Sequence, residues 1–298
     1  MITRRDFLAG AGAGRLAAAA SSSPAPQICL FSKHLPELDY PELGRTLKQL
    51  GFAAVDLTVR PGGHVRPERV AQDLPRAAAA LREQGIAIPM ISTGLTSAQD
   101  PAARPTLATA ARLDITYYKL GYYRYGKLAD MQAQLDKTLS EVEGLAALSR
   151  EAGIQAGFHN HSGTYVGAPM WDAWEILRHQ DPQWIGFYFD PCHATIEGGL
   201  AGWNLGFHRL AGRLKMVAVK DFFWEKAKGK WTARQCPLGE GMVAWKTFFQ
   251  QLAALRFTGP ISLHLEYEIP GASEAARREN NLQAIARDFA ALKAMMRV

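Results

Sequence analysis

Eight short β-rich runs alternate with longer helical patterns, and this regular alternation constrains the fold more than any other feature of the chain. The runs lie at Gln27–His34, Ala53–Val59, Ile86–Thr93, Ile115–Gly121, Ile154–His161, Ile185–Asp190, Leu214–Asp221 and Pro260–Glu268. The segments between them carry apolar residues at helical spacing, and several end at a glycine just before the next run. Eight strand–helix repeats in 298 residues predict one (β/α)8 barrel domain over residues 27–298.

An open, doubly wound parallel sheet is the alternative for such an alternation. That fold usually places a G-x-G-x-x-G turn directly after its first strand. No such turn follows Gln27–His34, and no linker-like stretch divides the repeat region. The sequence therefore favours a closed barrel in a single domain.

Residues 1–26 predict a twin-arginine-type export signal. Arg4 and Arg5 precede a short apolar, Ala-rich segment that leads into the sequence SSSPAP. Such a signal is read by a receptor and does not anchor the protein, so a periplasmic or otherwise exported location is expected. A plain Ala/Gly-rich tail, or a short amphipathic helix, is the alternative.

Charge and hydropathy exclude some classes of partner. The net charge of +6 is spread along the chain, so no nucleic-acid partner is expected. No stretch reaches about 18 consecutive apolar residues, so no membrane span is expected. Cys29, Cys192 and Cys236 lie far apart and do not form a disulfide framework. The sequence leaves the oligomeric state open.

Polar residues gather at the C-terminal end of nearly every predicted strand, which is the face of a barrel where ligands bind. Strand five ends in His159-Asn160-His161, strand six in Asp190 and strand seven in Lys220. Successive side chains of a strand point to opposite faces. We therefore expect His159, Asp190, Lys220 and Glu266 to point inward at similar height.

Such a group of side chains predicts both a metal site and a substrate site. Histidine and carboxylate side chains bind divalent cations such as Mn²⁺, Mg²⁺, Co²⁺ or Zn²⁺, and the candidate ligands are His159, Asp190 and Glu266. The candidate substrate contacts are His34, Lys119, His161, His193, Trp224 and Glu240. Taken singly, each of these residues is equally consistent with a hydrogen-bonded strand end, and Asp190 before a proline can simply cap a turn.

From Gln27 to about Ala290 the sequence resembles the xylose isomerase-like TIM-barrel superfamily of sugar isomerases and epimerases. The resemblance is carried by HNH at 159–161, DPCH at 190–193, VKD at 219–221, PLGEG at 237–241 and the strand-eight residue Glu266. It implies a divalent metal bound by Glu, Asp, His and Glu on strands five to eight, with the two glutamates transferring protons.

Two of these four family positions match and two differ. Asp190 and Glu266 match, His159 stands in place of the first glutamate, and Ala218 stands in place of the histidine. Because an imidazole titrates near neutral pH, His159 is expected to transfer protons together with Glu266. Lys220 is expected to stabilise an enolate oxygen. A Schiff-base role or a structural salt bridge to Asp190 or Glu266 is the alternative for this lysine.

The resemblance and the residues together predict a sugar isomerase or epimerase. It would abstract a proton beside the carbonyl of a sugar or keto-sugar and pass through a cation-stabilised enediolate. A lyase or dehydratase acting on an oxidised sugar by elimination is one alternative, and a non-catalytic sugar-binding barrel is another. The endonuclease branch of the superfamily is disfavoured because no basic face suited to DNA is evident.

Overall fold

The described part of the chain, residues 25–297 of a computed structural model, closes into a barrel of eight parallel strands. An export signal is predicted over residues 1–26, and residues 1–24 of it lie outside the described part of the chain. The barrel closes because β1 pairs in parallel with both the second and the last barrel strand. The predicted (β/α)8 barrel is confirmed, and each predicted run contains one barrel strand.

The barrel strands are shorter than the predicted runs. They are β1 Ile28–Phe31, β2 Ala54–Val59, β3 Ala87–Thr93, β4 Tyr117–Lys119, β5 Gln155–His159, β6 Ile185–Phe189, β7 Leu214–Val219 and β10 Ile261–Leu263. The helices are α1 Tyr40–Gln49, α2 Val70–Glu83, α3 Ala103–Arg112, α4 Met131–Ala152, α5 Met170–Leu177, α6 Pro191–Leu210, α7 Trp245–Ala254 and α8 Glu274–Met295. Between residues 25 and 297, no helix has both the length and the apolarity needed to cross a membrane.

The apolar core has two parts, as the alternation of strand side chains requires. The larger part lies between the outer faces of the strands and the surrounding helices. The smaller part fills the barrel interior with Met90, Tyr188, Met216 and Ala218. A Cβ on Gly157 would lie 2.0 Å from the Met216 Cε, so a larger residue there would require the Met216 side chain to move. This plug closes the barrel below the polar strand ends.

A hairpin that the sequence analysis did not identify stands outside the barrel. Its strands, β8 Asp221–Ala227 and β9 Lys230–Cys236, pair antiparallel and lie between β7 and α7 in the chain. Because β8 begins two residues after β7 ends, the hairpin rises from the C-terminal end of the barrel. It therefore forms one wall of the face where the polar residues gather.

The carboxylate of Asp221 fastens the loop that follows this hairpin. It accepts hydrogen bonds from the backbone N–H groups of residues 222, 239, 241 and 243 and from the indole Nε1 of Trp245, at 2.7–3.3 Å. A Cβ on Gly241 would lie 2.1 Å from Asp221 Oδ1, so only glycine permits this approach. The PLGEG segment is thus a fixed turn that leads into α7.

Replacing Asp221 with alanine is expected to destabilise the folded protein by about 3 kcal/mol, because several buried N–H groups lose their acceptor. Urea unfolding followed by circular dichroism measures the change. Asp136→Ala, at an exposed position of α4, is the control and should change stability by less than about 0.5 kcal/mol. Equal effects of the two substitutions would contradict this account of the Asp221 carboxylate.

Candidate functional site

A cavity of about 340 Å³ opens at the C-terminal end of the barrel, where parallel strands present their functional side chains. Its lining includes six predicted site residues, namely Lys119, His159, His161, His193, Lys220 and Glu266. Asp190 lies beneath this lining and is fully buried. The structure therefore brings seven of the ten predicted site residues to one place.

Asp190 is the central residue of the site. It follows β6 and is the N-cap of α6, where its Oδ1 accepts a hydrogen bond of 3.0 Å from the backbone N–H of His193. Its Oδ2 lies 3.2 Å from Lys220 Nζ. The Asn160 side chain bonds both the backbone N–H and the carbonyl of Asp190. The capping role predicted for Asp190 is confirmed, and the same carboxylate forms the salt bridge that was the structural alternative for Lys220.

The Asp190–Lys220 pair is charged although it is buried. Burial disfavours the ionised carboxyl, but Lys220 and the two nearby histidines outweigh burial and hold the pKa of Asp190 well below its usual range. Burial likewise disfavours the ammonium of Lys220, yet the Asp190 carboxylate raises the pKa of Lys220 above its ordinary value. A fixed positive charge therefore faces the cavity.

His159 is enclosed beside this pair and has no free ring nitrogen. Its Nε2 lies 3.4 Å from Asp190 Oδ2, and its Nδ1 lies 2.9 Å from the hydroxyl of Tyr122. Because a carboxylate only accepts, Nε2 carries the proton and Nδ1 accepts from Tyr122. Burial lowers the pKa of His159 to about 3. The imidazole is thus a neutral bridge between Asp190 and Tyr122, which is unlike the proton-transferring base that the sequence predicted.

His161 and His193 lie against each other on the wall of the cavity, with ring centroids 3.9 Å apart and ring planes tilted by 34°. The Nδ1 of His193 lies 2.8 Å from the hydroxyl of Ser162. Its Nε2 is buried and has no hydrogen-bond partner among the described residues. Burial lowers the pKa of both imidazoles. The Nε2 of His193 lies 3.7 Å from Asp190 Oδ2, so His193 adds to the polar surroundings of that carboxylate.

Glu266 lies at the rim of the cavity and not at its base. β10 ends at Leu263, so the strand alternation that predicted the inward direction of Glu266 does not extend to it. The carboxylate bonds Lys33 Nζ at 3.1–3.2 Å. Burial opposes its ionisation, but Lys220 and Lys33 outweigh burial and lower the pKa of Glu266. It is therefore a paired carboxylate and a weak base.

Lys119 reaches the cavity from the end of β4. Its Nζ lies 3.5 Å from the ring centroid of Tyr122, and no ion pair among residues 25–297 includes it. Burial and the nearby Arg60 and Lys220 lower the pKa of Lys119 to about 7, against a smaller opposite effect of Asp56. The pKa values of the two buried lysines of this cavity are thus shifted in opposite directions.

Three predicted substrate contacts lie outside this cavity. His34 Nε2 accepts a hydrogen bond of 3.0 Å from the backbone N–H of Leu265, which holds the imidazole against the rim. Trp224 is exposed on the outer part of the hairpin. Glu240 is exposed in the PLGEG turn and lines an adjoining groove beside α8, which shares Glu266 and Gln235 with the cavity. Side-chain alternation predicted the direction of residues on the barrel strands, but it did not predict the positions of these three residues outside those strands.

The cavity also contains residues that the sequence analysis did not select as site residues. They are Phe31, Lys33, Arg60, Ser92, Tyr122, Ser162, Ile196, Ala233, Gln235 and His264. Lys33, Arg60 and His264 are polar residues at strand ends, which is the same pattern that identified the predicted site residues. Gln235 has no such signal, since only the pairing of the hairpin strands brings it to the site.

The described residues do not fit a metal site of the expected kind. Between residues 25 and 297, no three His, Cys, Asp or Glu side chains converge as a metal-binding group. Ala218, in the position of the expected histidine ligand, is packed in the apolar interior. The Lys220 ammonium already contacts the Asp190 carboxylate. The lysine ammonium therefore stands beside the carboxylate that was expected to bind a metal ion.

Comparison with solved structures gives the same fold at low sequence identity. A D-psicose 3-epimerase from Clostridium cellulolyticum H10, solved with D-tagatose, matches with a TM-score of 0.69 and 11% identity, covering 91% of this chain and 99% of that one. A 3-keto-D-glucoside 4-epimerase from E. coli matches with a TM-score of 0.68 and 14% identity, covering 90% and 99%. A xylose isomerase-like TIM barrel protein from Mycobacterium smegmatis, in complex with magnesium, matches with a TM-score of 0.63 and 16% identity, covering 88% and 97%.

The search of curated proteins found no match to this sequence. The family model described as xylose isomerase-like TIM barrel matches residues 45–294, which is most of the chain. That range includes seven of the eight barrel strands and the residues around Asp190 and Lys220. The chain belongs to the xylose isomerase-like TIM barrel family.

Proposed function

We propose that this protein is an isomerase or epimerase of sugars or keto-sugars in which a lysine ammonium takes the place of the metal ion. The observation that carries the proposal is the Asp190–Lys220 ion pair at the base of a polar cavity. Solved structures with the same fold include sugar epimerases, which supports a sugar as the substrate. The small cavity and its histidine, serine and glutamine side chains suit a hydroxylated ligand.

The proposed reaction begins with proton removal from the carbon beside the substrate carbonyl. The electron pair of the broken C–H bond moves onto the carbonyl oxygen and forms an enediolate. An ammonium has three donors, and Lys220 uses one toward Asp190, so the others can bond the developing oxyanion. Return of a proton to the other face or to the neighbouring carbon gives the epimer or the isomer.

Elimination on an oxidised sugar is the second candidate, and one observation favours it. An epimerase of the two-carboxylate kind needs an acid–base group on each side of the substrate, but strand five supplies the enclosed His159 in place of a carboxylate. Loss of a hydroxide after the same first step needs one base only. An unsaturated product in place of an epimer would identify this reaction.

The test is hydrogen exchange at the substrate carbon, followed by NMR in D₂O with a panel of keto-sugars and oxidised sugars, with and without EDTA. We expect exchange that survives EDTA and falls by about 10²–10³-fold in Lys220→Met, since one oxyanion donor is lost. Lys246→Met, at an exposed position of α7, is the control and should keep full exchange.

Two results would overturn the proposal. Exchange that is abolished by EDTA and restored by Mn²⁺ would return the cationic role to a metal ion. Saturation binding of a keto-sugar with no exchange of its hydrogens would favour the non-catalytic sugar-binding barrel. Lys220→Arg keeps a positive charge beside Asp190, so it separates loss of catalysis from loss of folding.

A further inference from the structure

The proposed reaction needs a base inside the cavity, and the side chains that the sequence suggested for this role are already engaged. Both ring nitrogens of His159 are bound, one by Tyr122 and the other by Asp190. The carboxylate of Glu266 is bound by Lys33 at the rim. Asp190 is capping α6 and paired with Lys220. The base must therefore be sought among the other residues that line the cavity.

Lys119 is a second lysine amine in the cavity, and its surroundings differ from those of Lys220. The two lysines extend from the ends of β4 and β7, and the ends of β5 and β6 lie between them along the barrel. Lys220 is held by a carboxylate, whereas no ion pair of the described residues includes Lys119. Tyr117, two residues earlier on β4, packs against the interior plug, so the alternation of the strand directs Lys119 inward above it.

Charged and titratable groups from every neighbouring element act on Lys119. Arg60 after β2 and Lys220 after β7 disfavour its ammonium, and Asp56 on β2 favours it. Burial and Arg60 each act on Lys119 more strongly than Asp56 does, so the balance lowers its pKa. His159 on β5 and His161 after it are neutral imidazoles.

The ring of Tyr122 opposes this trend but does not cancel it. A cation over an aromatic face gains about 0.5–2 kcal/mol, which corresponds to roughly one pKa unit. Burial with two cations nearby acts more strongly in the other direction, and the pKa of Lys119 is lowered from 10.5 to about 7. A neutral amine is a far better base than a neutral imidazole whose two nitrogens are bound.

We propose that the Lys119 amine is the base that takes the proton from the carbon beside the substrate carbonyl, while the Lys220 ammonium bonds the carbonyl oxygen. The inference rests on the function proposed above and names the group that performs its first step. The C–H bond breaks, the proton becomes the third N–H of an ammonium on Lys119, and the electron pair moves to the oxygen. The same ammonium then returns the proton from the same side to the former carbonyl carbon, the neighbouring hydroxyl proton moves to the former carbonyl oxygen, and the amine is restored with the isomer as product.

One part of this inference can be tested without any substrate. The full-length protein, labelled with ¹⁵N-lysine, is titrated between pH 5 and 10 and the Nζ resonances are followed by NMR, with Lys119→Arg assigning the Lys119 signal. We expect Lys119 to titrate near pH 7 and Lys220 to stay protonated throughout this range. Titration of Lys119 above about pH 9 would overturn the inference, whatever the substrate is.

The second part uses exchange of the substrate hydrogen in D₂O. Lys119→Met should lower the exchange rate by about 10²–10⁴-fold, the usual contribution of a general base. Lys119→Arg should lower it as much, although it keeps the side-chain charge, because a guanidinium does not release its proton. Lys137→Met, at an exposed position of α4, is the matched control and should exchange like the wild type.

The outcomes separate the inference from the proposed function. Exchange in the wild type that persists in Lys119→Arg would overturn the inference and leave the proposed function in place. No exchange by the wild type with any keto-sugar would overturn the proposed function and, with it, the role of Lys119 in that reaction. A substrate adduct trapped on Lys119 by borohydride would also overturn the inference, because the amine would then act as a nucleophile.

Discussion

Replacing Asp190 with alanine is expected to destabilise the folded protein by about 3–5 kcal/mol, because Lys220 is left as a buried charge without its partner. Asp190 is fully buried, and the ammonium of Lys220 lies 3.2 Å from its Oδ2. The same substitution removes the side chain that caps α6. Denaturant unfolding at pH 7.5, followed by circular dichroism, measures the loss.

Three further variants separate the contribution of the ion pair to this destabilisation from the contribution of the helix cap. Asp190→Asn retains an oxygen for the backbone N–H of His193 and should be more stable than Asp190→Ala by about 1 kcal/mol, the usual value of a cap. Lys220→Met alone leaves the carboxylate unpaired and should also be strongly destabilised. The double variant Asp190→Asn, Lys220→Met removes both charges and should recover most of the loss. Additive effects of the two single changes would contradict a coupled pair.

The free energy of unfolding is expected to fall steeply as the pH drops below about 6.5. Burial lowers the pKa of His34, His159, His193 and His264, to about 4 for His34 and about 3 for His159. Below pH 6.5 the unfolded chain therefore binds protons that the folded chain does not, and stability decreases with decreasing pH. Each such histidine contributes a slope of about 1.4 kcal/mol per pH unit.

One buried carboxyl acts in the opposite direction. Burial raises the pKa of Asp56 to about 6, so below that pH the folded chain binds this proton more readily than the unfolded chain does. Its contribution offsets about one histidine, and the net loss between pH 6.5 and 5 is on the order of 5 kcal/mol. Urea unfolding at half-unit pH intervals measures the slope, and His264→Asn should reduce it by about one proton. A free energy of unfolding that stays constant from pH 6.5 to 5 would contradict the neutral state of these imidazoles.

The barrel and the base of its site were predictable from the sequence for one shared reason. Parallel strands of a closed barrel end on the same side, so polar residues at successive strand ends have to meet. Strand alternation then directs His159, Asp190 and Lys220 inward, and the structure brings these three together. These properties depend on local periodicity, which the sequence expresses directly.

The parts that the sequence did not predict depend on where elements stop and on pairing outside the barrel. Glu266 was expected inward because strand eight was drawn through it, but β10 ends at Leu263 and Glu266 turns to Lys33. The hairpin was missed because its strands pair only with each other and are largely exposed, so no core-facing periodicity marks them. The charge states of Lys119 and His159 follow from burial, which spacing alone does not reveal.

The hairpin forms one wall of the site but is not part of the barrel. Its strands belong to no barrel pairing, yet Ala233 and Gln235 line the cavity, and Asp221 fixes the loop that follows. Substitutions at the more exposed hairpin positions 223–235 are therefore expected to change the shape of that wall without changing the barrel register or the Asp190–Lys220 pair. Among related chains, selection can therefore alter the shape of the cavity entrance while the buried ion pair at its base stays the same.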